Sequence, residues 1–346
     1  MLPGSSRGSD LKENDMRKVL FILLIPFTAF AQQVVITGKV PDAPDSIDVF
    51  VYKPIGTYFN SLYKQSAGKV TNHQFTLTVP MDAPGYITVE NKYVKSVLYV
   101  EPGDSVDIGI SREGSADKKI YSGSNAAGHD LFNNDTPFSP DQLSSAMDRV
   151  MDTARSVNGA LWGMRSTLFD LKAPLLVHLR KGQVSVGFYE SMVTTLESRL
   201  VYYLLNSVGK RLENPADRKN KALNEKELKQ IVQDASDLYD PFDVKYVSSP
   251  GVDQLIAKKC YLIKKGYIRG GASMMDFWQR FDESYRLFAY APANLHEMVA
   301  GNEFLANIPD HHKGNAAQIE LFYYFKTNFP KSAYIPLVQE LLSRKQ

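Results

Sequence analysis

Cysteine is the scarcest residue in this 346-residue chain, which has one, Cys260. A single thiol forms no internal disulfide and no Cys-x-x-Cys redox pair, so disulfide-stapled scaffolds and dithiol chemistry are both excluded. An excess of one charge is also missing. Forty basic residues stand against 38 acidic ones, for a formal net charge of +2. Nucleic-acid binders concentrate a basic excess on one face, so no nucleic-acid partner is expected. Long apolar runs are absent too: the stretch Val19–Phe30 is too short to span a bilayer stably. The Gly-containing segment 122–128 lacks the Gly-Lys-Ser/Thr ending of a phosphate loop.

What stands at the N-terminus reads as an address. Met16-Arg17-Lys18 is a basic n-region, Val19–Phe30 an apolar h-region, and Ala29-Phe30-Ala31 places small residues at a signal-peptidase site. Residues 1–31 are therefore expected to be an upstream extension plus a signal peptide, starting at Met16 and cleaved after Ala31. No cysteine follows that position, so no lipoprotein anchor is expected, and no transmembrane segment remains after cleavage. Removing four basic and three acidic residues leaves 36 and 35, an almost neutral mature chain. The expected location is the periplasm or the cell envelope.

Hydrophobic residues make up 44% and charged residues 23%, a globular composition, and the length favours two domains. The most legible stretch is Val97–Ile110. Two apolar runs flank Glu101-Pro102-Gly103-Asp104, a type II turn composition, and Val106, Ile108 and Ile110 alternate with Asp107 and Gly109. This predicts a β-hairpin closing an N-terminal β-domain. Upstream, strands are expected over 34–40, around Val49, from Phe75 to Val79 and over 86–89. A long connection is expected over 53–68, a turn at Asn72, and a break at Pro80–Pro84. Beyond about residue 125, helical spacing dominates, as in Leu143, Met147, Val150, Met151 and Ala154. The series continues over 189–204, 225–238, 252–263, 274–290, 318–328 and 337–343. Pro174 is read as punctuation, and Gly182, Gly209, Gly266 and Gly301 as helix stops. The fold class is α+β multidomain, with an antiparallel β-sandwich over 32–125, a linker over 126–141 and an all-α helical domain over 142–346.

No residue pattern marks a reaction centre, so no catalytic, cofactor-binding or metal-binding residue is assigned and no cofactor is expected. Cys260 lies in an apolar helical run and reads as a core residue, although Lys258 and Lys259 beside it would favour a thiolate. His311-His312 reads as a solvated turn, reinforced only by His296 and Glu297, and His129 and His178 are isolated. Glu101 and Asp104 belong to the turn rather than to a calcium or acid–base site. Phe277, Trp278, Phe281, Tyr285 and Phe288 follow helical spacing and read as core, and Phe322–Phe325 adds four more aromatics. The charge run Arg211–Lys229 reads as a solvated linker and helix face. The doublet Tyr202-Tyr203 cannot face wholly inward and is the candidate partner-binding surface.

The order of segments resembles a family. A signal peptide, then Ile36-Thr37-Gly38-Lys39-Val40, then Val100-Glu101-Pro102-Gly103-Asp104 leading into Tyr121-Ser122-Gly123-Ser124-Asn125-Ala126-Ala127-Gly128 resembles the front part of secreted TlpA-type thioredoxin-like thiol–disulfide oxidoreductases. Their helical segment commonly ends in a phrase like Phe329-Pro330-Lys331-Ser332-Ala333-Tyr334-Ile335-Pro336. The resemblance covers roughly 33–343. The family's thioredoxin domain and Cys-x-x-Cys are missing, so no catalytic residue carries over. The resemblance implies an exported, non-catalytic accessory or interaction module whose partner is a thiol-redox protein or client polypeptide in the envelope. Two alternatives stand beside it: the front part of an oxidoreductase lacking its catalytic domain, and a peptide- or glycan-binding envelope protein.

Overall fold

A computed structural model describes residues 32–113, 116–134, 136–215, 222–270, 290–307 and 316–343. The start at Met16, the apolar stretch, the cleavage position after Ala31, all but Tyr290 of the expected helix over 274–290 and the His311-His312 pair lie outside these residues.

The N-terminal region is a sandwich of two four-stranded sheets. One is ordered β4-β1-β7-β8 and the other β3-β2-β5-β6. The strands are β1 (Gln32–Lys39), β2 (Asp48–Tyr52), β3 (Gln65–Lys69), β4 (Gln74–Met81), β5 (Gly85–Glu90), β6 (Lys95–Val100), β7 (Ser105–Glu113) and β8 (Ala116–Gly123). Period-2 alternation places Phe75, Leu77 and Val79 of β4 inward, against Ile36, Val51, Ile87, Leu98 and Ile108 from the other strands. Pairing is antiparallel except between β1 and β7, which run parallel.

That parallel pair corrects the expected hairpin. The turn at 101–104 forms, with Asp104 N donating to Glu101 O at 3.0 Å and Gly103 at φ 94. Yet β6 and β7 lie in different sheets, so the turn is a corner between layers. Alternation and turn chemistry specify strand and turn but not the pairing partner, and β7 takes β1 instead. The expected connection over 53–68 contains β3, and β8 also escaped the alternation pattern. Both are edge strands with few apolar residues. The expected break at Pro80–Pro84 falls at 82–84, between β4 and β5, with Pro80 itself still in β4 because an edge strand tolerates a missing N–H. The turn at Asn72 forms with both Asn72 (φ 53) and His73 (φ 61) left-handed.

Among the described residues nine α-helices follow: α1 (Ala126–Asn134), α2 (Pro140–Thr153), α3 (Val157–Arg180), α4 (Val186–Glu213), α5 (Glu225–Leu238), α6 (Val252–Lys264), α7 (His296–Asn307), α8 (Ala316–Asn328) and α9 (Tyr334–Ser343). The stretch expected as a linker is thus largely helical. Ser139 caps α2, accepting from Gln142 N at 3.3 Å, and Asn224 and Glu227 form a capping box on α5. Helix α3 runs through Pro174, since burial of Leu161, Met164, Leu168, Leu171 and Leu175 along one side outweighs one lost backbone bond. Gly182 and Gly266 end helices with φ 66 and 68. Gly209 and Gly301 are instead interior to α4 and α7, and Gly301 sits under the Tyr334 ring. No helix among the described residues is long and apolar enough to cross a membrane.

Two hydrophobic cores result, and the boundary between them runs through one sheet. Ile87, Leu98 and Val100 belong to the sandwich core, whereas Tyr86 and Tyr99 from the same strands belong to the helical core. The β5-β6 half of that sheet is therefore covered on both faces, sandwich core on one and helical core on the other, while β3 stays largely exposed.

Candidate functional site

The junction between sandwich and helices gathers a dense set of interacting side chains. Alternation along β5 and β6 turns Tyr86 and Tyr99 outward, where their rings meet edge-to-face at 5.4 Å. Tyr99 meets Phe188 of α4 at 5.9 Å, Phe188 meets His129 of α1 at 5.3 Å, and His129 lies 5.8 Å from Tyr121 of β8. Tyr86 Oη and Thr195 Oγ1 are hydrogen-bonded at 2.8 Å. Burial pushes the Tyr86 phenol well above its ordinary pKa. Gly128 lets α1 approach: a Cβ there would stand 2.2 Å from the Phe188 ring.

Helix α1 also closes the open side of the sandwich. The Asn133 side chain accepts from Val97 N (3.1 Å) and donates to Val97 O (3.0 Å) on the edge of β6. Asn134 does the same to Lys119 on the edge of β8, at 3.2 and 2.6 Å. Two adjacent amides thus mimic the missing neighbour strand of two different sheets, one device for blunting exposed edges.

The acidic turn is part of this assembly. Ser185, which caps α4, donates through Oγ to Glu101 Oε1 at 2.7 Å, and its N–H donates to Asn125 Oδ1 at 2.7 Å. The Glu101 carboxylate therefore occupies the positive end of α4, where negative charge is favoured. Asp104 Oδ2 accepts from Glu101 N at 2.8 Å. Both carboxylates hold backbone and cap, consistent with a turn. An open groove of about 650 Å³ runs beside them.

Two clefts flank the loop from Lys53 to Tyr63. One of about 470 Å³ is lined by Pro54, Thr57, Phe59, Asp82, Tyr86 and Ser248, and one of about 230 Å³ by Ile55, Asn60, Tyr63, Ala333 and Leu337. Asn60 pins the loop, donating to Lys53 O (3.0 Å) and Tyr63 O (2.8 Å) and accepting from Tyr63 N (2.9 Å). Tyr63 Oη donates to Glu340 Oε2 of α9 at 2.9 Å, and the Tyr58 and Tyr334 rings lie 6.0 Å apart. These linings combine apolar side chains and hydroxyls with Lys53, Asp82, Asn60 and Gln65, a mixed surface of the kind that holds a ligand or a stretch of chain.

The residues singled out in the sequence do not converge. Cys260 is fully buried in α6 and burial pushes its thiol up to about 12. The neighbouring Lys259 reaches Asp240 Oδ1 at 2.5 Å instead. His296 is buried and bonded to Ala291 O at 2.7 Å, and His178 contacts Gln183 Oε1 at 2.7 Å. His129 is buried with neither ring nitrogen partnered, and desolvation lowers its pKa to about 3. Among the described residues no group of three or more His, Cys, Asp or Glu side chains could hold a metal ion. Tyr202 and Tyr203 are half-buried on α4, packed on the helical core with ring centroids 5.0 Å apart. Arg211, expected in a solvated run, is mostly buried and ties α4 to α2 through Asp152 (2.6 Å) and Asp148 (3.3 Å). Phe322 and Phe325 pack on Phe304 in the core, and Tyr323 is exposed. The set from Phe277 to Phe288 lies outside the described residues.

Sequence reasoning missed Asn133, Asn134, Asn125, Ser185 and the outward role of Tyr86. Asn side chains in a short helix carry no periodic signal, and Glu101 and Ser185 lie far apart in sequence. Compared with family models, curated proteins and solved structures, the chain has no match in any of the three.

Proposed function

We propose that the chain is an exported, non-catalytic accessory module of the cell envelope, related to thioredoxin-like thiol–disulfide oxidoreductases, that holds a thiol-redox protein or its client polypeptide. The observation that carries this reading is the junction. Sandwich and helices are bound through Glu101–Ser185, Tyr86–Thr195 and the two Asn clasps, and Tyr86 also lines the larger of the two clefts beside the loop from Lys53 to Tyr63. A buried thiol with a raised pKa is a poor nucleophile, so Cys260 serves packing rather than exchange. A photo-crosslinking residue at Thr57, inside the larger cleft, tests the reading in envelope extract. Capture of a thiol-redox protein or an unfolded client there, and not from a control position at Lys229, is the expected outcome. Equal labelling at both positions, or recovery of neither class, would overturn it.

A second reading is the front part of an oxidoreductase whose thioredoxin domain is absent from this sequence. It is favoured by the position of the phrase 329–336, whose Tyr334 opens α9 and packs on Tyr58 of the sandwich loop, with Glu340 further along α9 bonded to Tyr63. A domain joined there would lie beside the same clefts. The intact mass of the native envelope protein separates the two: an excess of about 100–150 residues, one small domain, selects the second.

A further inference from the structure

Helix α3 buries one side in the helical core, and its other side is bare. Trp162 is 70%, Phe169 74% and Val177 46% exposed. Spacings of four and seven residues put Trp162, Ser166, Phe169 and Ala173 on one stripe, and Trp162 to Val177 spans roughly 22 Å of helix. The charges around this stripe are one-sided. Among exposed side chains from 155 to 181, Arg155, Arg165, Arg180 and Lys181 are cationic and Asp170 alone is anionic. Lys172 is engaged by Glu197 at 3.2 Å.

We propose that this face of α3 docks on an anionic lipid surface, with the helix lying in the plane of the membrane. Trp162 and Phe169 enter the boundary between headgroups and acyl chains, where amphipathic aromatic rings are favoured, and the arginines and Lys181 meet lipid phosphates. Charge complementarity selects this occupant over a second copy of the chain. A two-fold interface on the same face would bring the same four cations toward one another. The stripe also offers only a few hundred Å² of apolar surface, against roughly 800 Å² per partner in a stable interface. Membrane attachment has no such minimum, because two aromatic anchors and a basic rim act together. The inference goes beyond the accessory-module reading and does not need a redox partner.

The test uses the full chain, in which the stretch Val19–Phe30 is common to every variant, so that differences report α3 alone. Protein is sedimented with vesicles of phosphatidylcholine containing phosphatidylglycerol, and with phosphatidylcholine alone. Emission from Trp162 is read in a Trp278→Phe background. The expected result is a blue shift with anionic vesicles only. Partitioning should fall roughly 25-fold in the Arg165→Gln/Arg180→Gln variant, about fivefold per charge, and clearly in Trp162→Ala/Phe169→Ala. Both variants change exposed positions, so folding is retained. Equal partitioning of variants and parent, or sedimentation without a Trp162 shift, overturns the proposal. A blue shift that needs no lipid and grows with protein concentration also overturns it, in favour of self-association.

Discussion

Two aromatic surfaces in this molecule have opposite fates. At the junction, Tyr86, Tyr99, Phe132 and Phe188 are buried or nearly so, set edge-to-face or tilted, and flanked by hydrogen-bonded Thr195, Ser185 and Asn125. On the outer side of α3, Trp162 and Phe169 are more than two-thirds exposed. The same residue class therefore serves an interface already filled within the chain and one left open. The filled interface buries its rings on the helix-facing side of one sheet, so the contact between sandwich and helices is largely apolar. The difference teaches that aromatic content alone says little about docking; what matters is whether the ring's neighbours come from the same chain.

Phe188→Ala breaks the filled surface most severely. It empties the position between Tyr99, His129 and the Gly128 backbone, and a buried Phe→Ala change costs about 3–5 kcal/mol. Chemical denaturation followed by far-UV circular dichroism should show that loss, and a change below about 1 kcal/mol would mean the junction is not tightly packed.

Acid attacks the same place through His129. Its folded-state pKa, about 3, lies below the ordinary value of 6.5 because burial disfavours the imidazolium. The unfolded chain binds the proton first, so stability is lost as pH falls below 6.5 and the loss grows until pH 3, where the folded form also protonates. By pH 5 the loss is about 2 kcal/mol. His129→Phe retains the ring contacts and removes both unpartnered nitrogens. It should flatten the pH profile relative to the parent between pH 7 and pH 5, while carboxylate contributions remain in both proteins. Parallel profiles would show that His129 is not the group responsible.

The Asn clasps come next. Asn133→Ala and Asn134→Ala each remove two bonds to an edge strand, at about 1–2 kcal/mol apiece. Hydrogen exchange should quicken at the Val97 amide in the first variant and at Lys119 in the second, with each leaving the other site unchanged. Quickening at both sites in either single variant would mean that α1 detaches as a unit.

These clasps mark the limit of what the sequence displays. Helix α5 matches the expected span Glu225–Leu238, and α6 the start at Val252, because apolar residues recur at helical spacing and the capping residues are local. Phe75, Leu77 and Val79 displayed β4 for the same kind of reason. By contrast β7's partner, the strands β3 and β8, and the junction depend on residues brought together from distant positions. Ser185 and Glu101 are 84 residues apart, and no local pattern encodes their meeting. Tyr86 was visible as a strand residue, but which face it served depended on a helix more than 100 residues later.

Trp162→Ala and Phe169→Ala sharpen the comparison from its open side, with the smallest effect of all. Neither side chain has a ring contact within the described residues, and each is mostly in water already. Exposed helix positions away from caps and charge networks change stability by less than about 0.5 kcal/mol, and alanine's high helix propensity offsets part of any lost packing. Phe169→Ala should therefore unfold at the same denaturant concentration as the parent, while Phe188→Ala, the same substitution on the next helix, does not. Should Phe169→Ala lose as much as Phe188→Ala, the outer face of α3 would be covered in solution. A destabilisation that deepens with protein concentration would trace that cover to a neighbouring copy. A null effect without vesicles, paired with lost partitioning in their presence, would leave Trp162 and Phe169 with a role outside the fold.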